Sequence, residues 1–301
     1  MSAADIHPDL QKIARFLPRG AGPRGIAIAR TVSPWFTRRV PPGVRVQHLG
    51  PVSVRLHTPT EPHPNGAALL WIHGGGYVLG SAAQDDPLCA RLASQLGVTV
   101  AAVDYRLAPK HPYPAPLEDC YSALTWLAKQ PGVDRTRVAI GGASAGGGLA
   151  AGLALLARDR DGVKPAFQLL IYPMLDDRTA LRSDIDQGGF RLWNNRANAF
   201  GWRSYTGRHP GDGSVEIYAV PARSDDLSGL PPAWIGVGTQ DLFHDEDTAY
   251  AERLRAAGVP CALEVVPGAF HGFDAVAPKT AVATAFREAV LAAVGAGLQV
   301  S

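Results

Sequence analysis

One serine, one histidine and one aspartate are enough to make a nucleophile at neutral pH, provided the backbone brings them together. In Val138-Ala139-Ile140-Gly141-Gly142-Ala143-Ser144-Ala145-Gly146-Gly147 a β-branched run stops at two glycines, a single serine follows, and a helical pattern begins at Leu149. Ser144 therefore sits on a predicted strand-to-helix turn. Gly142 and Gly146 flank it at minus two and plus two, where a tight turn leaves no room for a Cβ. The turn lifts the hydroxyl clear of the sheet and sets a helix N-terminus beneath it, with N–H groups facing any negative charge that develops. Taken alone, the stretch is also a glycine-rich loop before a helix, so its partners decide the chemistry.

His73-Gly74-Gly75-Gly76-Tyr77 follows the first predicted buried strand. Three glycines let a ligand oxygen approach the backbone N–H groups, at the strand end where α/β sheets bind ligands. A dinucleotide fingerprint would need glycine at 79, which is Leu79. The Gly75, Gly76 and Ala145 amides would instead make a three-donor oxyanion hole. Among nine histidines, His271 alone follows the last predicted strand on a short glycine-containing loop. His7, His57, His63, His111 and His209 read as surface residues, and His73 as a brace for the glycine loop. His244 is the competitor for the role of base. Asp241 directly follows the run Trp234 to Gln240, at a strand end that holds a catalytic group rigidly. Asp245, Glu246 and Asp247 fall in a helix's first turn, where the unpaired N–H groups already account for acids. The order Ser144, Asp241, His271 is the chain order of one hydrolase fold and not of the others that use this triad.

The elements that must position these groups are legible from apolar periodicity. Val44 to Leu49 and Val52 to His57 alternate and are joined by Gly50-Pro51, predicting an antiparallel pair. Ala67 to Ile72, Val98 to Val103, Val138 to Ile140, Phe167 to Ile171, Trp234 to Val237 and Ala262 to Val266 are short, nearly continuous apolar runs, mostly separated by helical patterns. That rhythm predicts parallel strands buried on both faces. Residues 173–230 are long, polar and aromatic (Phe190, Trp193, Phe200, Trp202, Tyr205) and read as an insertion. Residues 1–42 are helical in patches and broken by prolines at 18, 23 and 34. Seven basic residues there (Lys12, Arg15, Arg19, Arg24, Arg30, Arg38, Arg39) raise a membrane-surface helix, but the prolines interrupt any continuous apolar face and favour a lid over the core.

With 301 residues, 46% of them apolar, the chain can bury a large core, and a formal net charge of +2 implies no polyanion partner. Cys89, Cys120 and Cys261 show no metal-ligand spacing and read as reduced thiols of a cytoplasmic protein. No signal pattern and no apolar run of spanning length is read from the sequence.

These motifs resemble the bacterial hormone-sensitive-lipase family of carboxylesterases. The resemblance rests on HGGGYVLGS from His73, DYRLAPKHPYPAPLED from Asp104, GGASAGGG from Gly141, the acid region from Asp241 to Glu246 and AGVPCALEVVPGAFHGF from Ala256. It covers roughly Leu69 to the C-terminus. It implies an α/β-hydrolase fold, a mostly parallel eight-stranded sheet flanked by helices, with a helical cap built from residues 1–42 and 173–230 on a core of 43–172 and 231–301. It also implies Ser144 as nucleophile, Asp241 and His271 completing the triad, Gly75, Gly76 and Ala145 as oxyanion hole, and Tyr77 touching substrate. No metal or cofactor is implied. The expected substrates are short to medium acyl esters, with no nucleic-acid partner, no stable membrane insertion, and a homodimer possible through the C-terminal helix and an edge strand near Ala262 to Val266. Ala143 departs from the family's usual Asp or Thr, so bonds stiffening the turn must come from elsewhere. Leu242 departs from a usual Pro. Asp104 and Arg106 are expected to pair as a structural brace. Rival readings are a binding protein on this fold, as in plant gibberellin receptors that lack the histidine kept here at 271, a hydrolase of amides, lactones or acetylated small molecules, and a lyase.

Overall fold

A computed structural model describes residues 6–20, 22, 25, 40–59 and 66–300. His63, Arg24, Arg30, Arg38, Arg39 and the prolines at 23 and 34 lie outside the described residues. Along β3 (Ala68–Ile72) side chains alternate between two cores: Ala68, Leu70 and Ile72 join one, Leu69 and Trp71 the other. β4 (Thr99–Asp104) and β5 (Val138–Ala143) divide in the same way, which is why their sequences are apolar without a break. Each fully buried Leu or Val in these runs contributes about 1.5–3 kcal/mol.

With β1 (Val44–Leu49), β2 (Val52–His57), β6 (Phe167–Ile171), β7 (Ala233–Gln240) and β8 (Cys261–Phe270), the strands form one eight-stranded sheet in the order β1-β2-β4-β3-β5-β6-β7-β8. β2 runs antiparallel to both of its neighbours, and every other pairing is parallel. On one face pack α3 (Ala115–Leu127), α4 (Ala145–Asp159) and α6 (His244–Ala256). On the other lie α1 (Pro8–Ala14), α2 (Asp86–Leu96) and α8 (Ala281–Leu298), with the short α7 (Phe273–Val276) leading into α8.

Helix α8 corrects the expectation that no apolar run reaches spanning length, because its 18 residues have a mean hydropathy of 1.5. Its burial is one-sided, through Phe286, Val290, Val294 and Leu298 against the sheet, as in a core helix.

Between β6 and β7 the chain leaves the core for residues 173–230, which carry α5 (Asn195–Thr206). The insertion is fastened at both ends. Glu246 of α6 accepts from the Leu175 and Asp176 N–H groups at 2.7 and 3.1 Å, and the buried Asp177 takes a two-pronged contact from Arg223 at 2.8 and 2.7 Å. Helix α1 reaches the same region: Arg191 Nε donates to the Ala14 carbonyl, and the Leu192 N–H to that of Pro18. Asp104 and Arg106 do not pair, contrary to expectation. Arg106 grips Asp119 through its guanidinium and its backbone N–H, while Asp104 accepts from the Ala82 N–H. The nearest carboxylate in sequence is not the one this arginine faces once the chain turns into α3.

Candidate active site

Ser144 caps α4 with φ of +56°, a conformation costing a non-glycine residue about 1–3 kcal/mol. The turn is over-determined by its neighbours. A Cβ on Gly146 would sit 2.0 Å from the Ile72 carbonyl oxygen, and one on Gly142 would sit 2.4 Å from Gly146. The spacing of the two glycines is therefore a packing requirement between the turn and β3. Hydrogen bonds supply the stiffness that Ala143 cannot: the Ser144 N–H donates to the Ile171 carbonyl at 2.9 Å, and the Ser144 carbonyl accepts from Met174 and Gly148 at 3.0 Å.

Register delivers the other two groups. Gln240 of β7 is paired with Phe270 of β8, so Asp241 and His271 leave adjacent strand ends side by side. His271 Nδ1 lies 2.8 Å from Asp241 Oδ2, and its Nε2 lies 3.0 Å from Ser144 Oγ. Asp241 is fully withdrawn from solvent, and its second oxygen accepts from the Phe243 N–H at 3.0 Å. The imidazole makes edge-to-face contacts with two rings, Tyr172 at 4.7 Å and Phe243 at 5.3 Å between centroids. His244, the competing base, contacts Asp245 at 3.0 Å, and Asp245 is taken by Arg182 at 2.7 Å on the surface, so neither reaches Ser144.

The glycine loop lies across from this pair. Gly75 and Gly76 have φ of +128° and +59°, and a Cβ would meet the Leu79 carbonyl oxygen at 2.0 Å or the Trp193 ring at 2.1 Å. Among the described residues, no protein acceptor takes the N–H of Gly75, Gly76 or Ala145. Backbone N–H groups left without a protein acceptor are donors of the kind that can receive a developing oxyanion. His73 is buried beneath them, stacked on Tyr105 at 4.3 Å, and Tyr105 donates to the His73 carbonyl at 3.1 Å. Burial lowers the His73 imidazole and holds it neutral, which suits a brace.

Tyr77, expected to touch substrate, is placed otherwise. Its side chain is fully buried, its hydroxyl donates to the Met174 carbonyl at 3.1 Å, and its ring stacks on Tyr205 at 4.1 Å. Tyr77, Trp202 and Tyr205 bind the insertion to the glycine loop, while Trp193 covers Gly76. Sequence reading passed over Tyr105, Phe243 and Tyr172, although each stands next to a strand end or to a triad residue.

Behind the turn, on the α2 and α8 side, Trp71, Asp85, Ala143, Tyr172, Asp274 and Arg287 help line a cavity of about 240 Å³. The half-buried Asp85 accepts from Trp71 Nε1 at 2.8 Å, and desolvation, reinforced by Asp274 and Asp86, pushes its carboxyl from 3.8 up to about 7. The folded chain thus keeps a proton that the unfolded chain releases near pH 4, so this group's contribution to stability is lost as pH rises from about 4 to about 7. Asp85→Asn keeps an acceptor for Trp71 and removes the titration. Its melting temperature is expected to gain on the wild type across that interval, measured by thermal unfolding at stepped pH. Parallel profiles would show that Asp85 does not hold the proton.

A family model described as the alpha/beta hydrolase fold matches residues 69–275. Esterase LipI of Mycobacterium tuberculosis (strain ATCC 25618 / H37Rv) is 37% identical over 245 residues, covering 78% of this chain and 75% of that protein. Ethyl acetate hydrolase of Pseudomonas putida is 38% identical over 226 residues, 73% of this chain and 70% of that one. Among solved structures, Bacterial Heroin Esterase aligns with a TM-score of 0.89 at 36% identity over 98% of both chains.

Proposed function

The chain belongs to the bacterial hormone-sensitive-lipase family of carboxylesterases, and from that membership we propose that it hydrolyses short to medium acyl esters through an acyl-enzyme on Ser144. His271 Nε2 takes the Ser144 proton as Oγ attacks the ester carbonyl, and Asp241 stabilises the imidazolium that results. The oxyanion forms against the Gly75, Gly76 and Ala145 amides. The alcohol leaves with the proton from His271, and water repeats the sequence to release the acid. The single observation that carries this reading is the unbroken run of hydrogen bonds from Asp241 through His271 to Ser144, at 2.8 and 3.0 Å.

Residues 1–42 and 173–230 form the cap in this reading, over a core of 43–172 and 231–301. Support comes from the fastening of the insertion by Glu246 and from Trp193 over Gly76. The name of the Pseudomonas putida relative, an ethyl acetate hydrolase, supports the short end of the acyl range. A cytoplasmic setting is supported by the free Cys89, Cys120 and Cys261. A homodimer through α8 and β8 is supported by the place of β8 at the end of the sheet, where among the described residues it pairs with β7 alone.

The experiment is a series of p-nitrophenyl esters from acetate to dodecanoate at neutral to mildly alkaline pH. The reading requires turnover with kcat/KM greatest at the short end. A folded protein that releases no nitrophenol from any of them would overturn it.

A further inference from the structure

Tyr172 meets the candidate base with its ring, and it does so from a backbone conformation that its side chain does not favour. It follows β6 directly with φ of +34°, in the left-handed region. Its N–H is tied to the Gly236 carbonyl on β7 at 2.7 Å. The residue before it, Ile171, accepts from the Ser144 N–H, so one dipeptide holds the nucleophile by its backbone and meets the base by its side chain. The Tyr172 ring stands edge-on to His271, with an interplanar angle of 62°. Its buried hydroxyl donates at 2.9 Å to Asp274 Oδ1, three residues beyond His271 and in the helical turn that ends the histidine loop. The imidazole thus meets two aromatic residues that are themselves anchored: Phe243 by its N–H to Asp241, Tyr172 by its O–H to Asp274.

We propose that Tyr172, locked by its hydrogen bond to Asp274, is a positioning residue that holds the His271 ring in line between Asp241 and Ser144. The proposal rests on the esterase reading above. Rotation of an imidazole edge by a few tenths of an ångström lengthens the contact to Oγ, and misplacement on the scale of 1 Å in such a contact costs about 100-fold in rate. The ester itself need not touch Tyr172, so the effect falls on kcat and not on KM.

The test compares Tyr172→Phe, Asp274→Asn, Asp274→Ala and the double variant Tyr172→Phe/Asp274→Ala with the wild type on p-nitrophenyl butanoate, with melting temperatures measured alongside. Tyr172→Phe keeps the ring and loses the lock. Its kcat is expected to fall at least about 10-fold with KM within about twofold. Asp274→Asn still presents an oxygen to the tyrosine and should keep most of the rate, whereas Asp274→Ala should match Tyr172→Phe. The double variant should fall no further than either single change, because all three remove the same hydrogen bond.

A kcat for Tyr172→Phe within twofold of wild type would overturn the proposal, as would equal rates for Asp274→Asn and Asp274→Ala. If Tyr172→Phe does not fold, the two Asp274 variants decide alone, and loss of folding in all of them makes the pair purely structural and overturns the role. An inert wild type would remove the esterase reading and this role together. An active wild type with an unaffected Tyr172→Phe removes only the role.

Discussion

Ser144→Ala is expected to lower kcat for ester hydrolysis by roughly 10⁵- to 10⁶-fold while leaving the protein folded. The size follows from the unity of the group, since His271 and Asp241 have no proton to move once Oγ is gone. A residual rate above that of water should survive, because the Gly75, Gly76 and Ala145 amides still stabilise an oxyanion formed by direct attack of water. Stability should change by no more than about 1.5 kcal/mol, the net worth of the one hydrogen bond, between Oγ and His271 Nε2, that is lost. Alanine inherits the backbone of a residue already at φ of +56°, and the elbow is held by main-chain bonds to Ile171, Gly148 and Met174 that do not involve Oγ. Steady-state kinetics and thermal unfolding on the same preparation check both halves. A variant that keeps a tenth of the wild-type rate would mean that another group makes the attack.

Asp241→Asn is expected to lower kcat by roughly 10⁴-fold, the scale seen when a triad carboxylate is replaced by its amide. The direction is set by the second oxygen. Asp241 Oδ1 accepts from the Phe243 N–H, so an asparagine there keeps its carbonyl oxygen toward Phe243 and turns its NH₂ toward His271 Nδ1. An NH₂ in that place donates to Nδ1 and moves the ring proton to Nε2, which can then no longer accept from Ser144. Geometry is preserved and the tautomer is wrong. Kinetics at pH 7 to 8 give the loss, and a fall smaller than tenfold would show that Asp241 does not set the tautomer of His271.

Ser144, Asp241 and His271 were legible in the sequence because each follows an apolar run by four or five residues, and each directly follows the strand that this run begins. Strand ends are written locally, as β-branched residues giving way to glycine, and in a parallel sheet all of these ends point to one edge. The glycines at 142 and 146 were legible for a steric reason that holds over five residues, and the clash with Ile72 and Gly146 bears it out. Side-chain partners were not legible. Arg106 chooses Asp119 over Asp104 because α3 swings that carboxylate under the loop, a choice made by tertiary geometry. Tyr77 was expected to touch substrate from its place after the glycine loop, and its ring is instead buried against Tyr205, more than a hundred residues away. Tyr172 carried no signal apart from its place after β6, since its hydrogen bond to Asp274 spans two strands and the insertion between them. Helix α8, read from the sequence as a helix that could build a dimer, was not seen to reach spanning hydropathy because that value is summed largely over small alanines without a continuous run of large apolar side chains.

Whether Ser144 is the nucleophile is read most directly from a covalent adduct: incubation with diethyl 4-nitrophenyl phosphate, followed by peptide mass spectrometry. An activated serine attacks phosphorus, expels 4-nitrophenolate and keeps the diethylphosphoryl group, because the slot for the second attack is occupied by a group that water does not displace quickly. About one equivalent of nitrophenolate per chain is expected, with a single adduct on the peptide containing Ser144, loss of ester hydrolysis in proportion to labelling, and no adduct on Ser144→Ala. Full ester hydrolysis by a protein that takes up no label at Ser144, or takes it up elsewhere in proportion to inactivation, would contradict that role for Ser144.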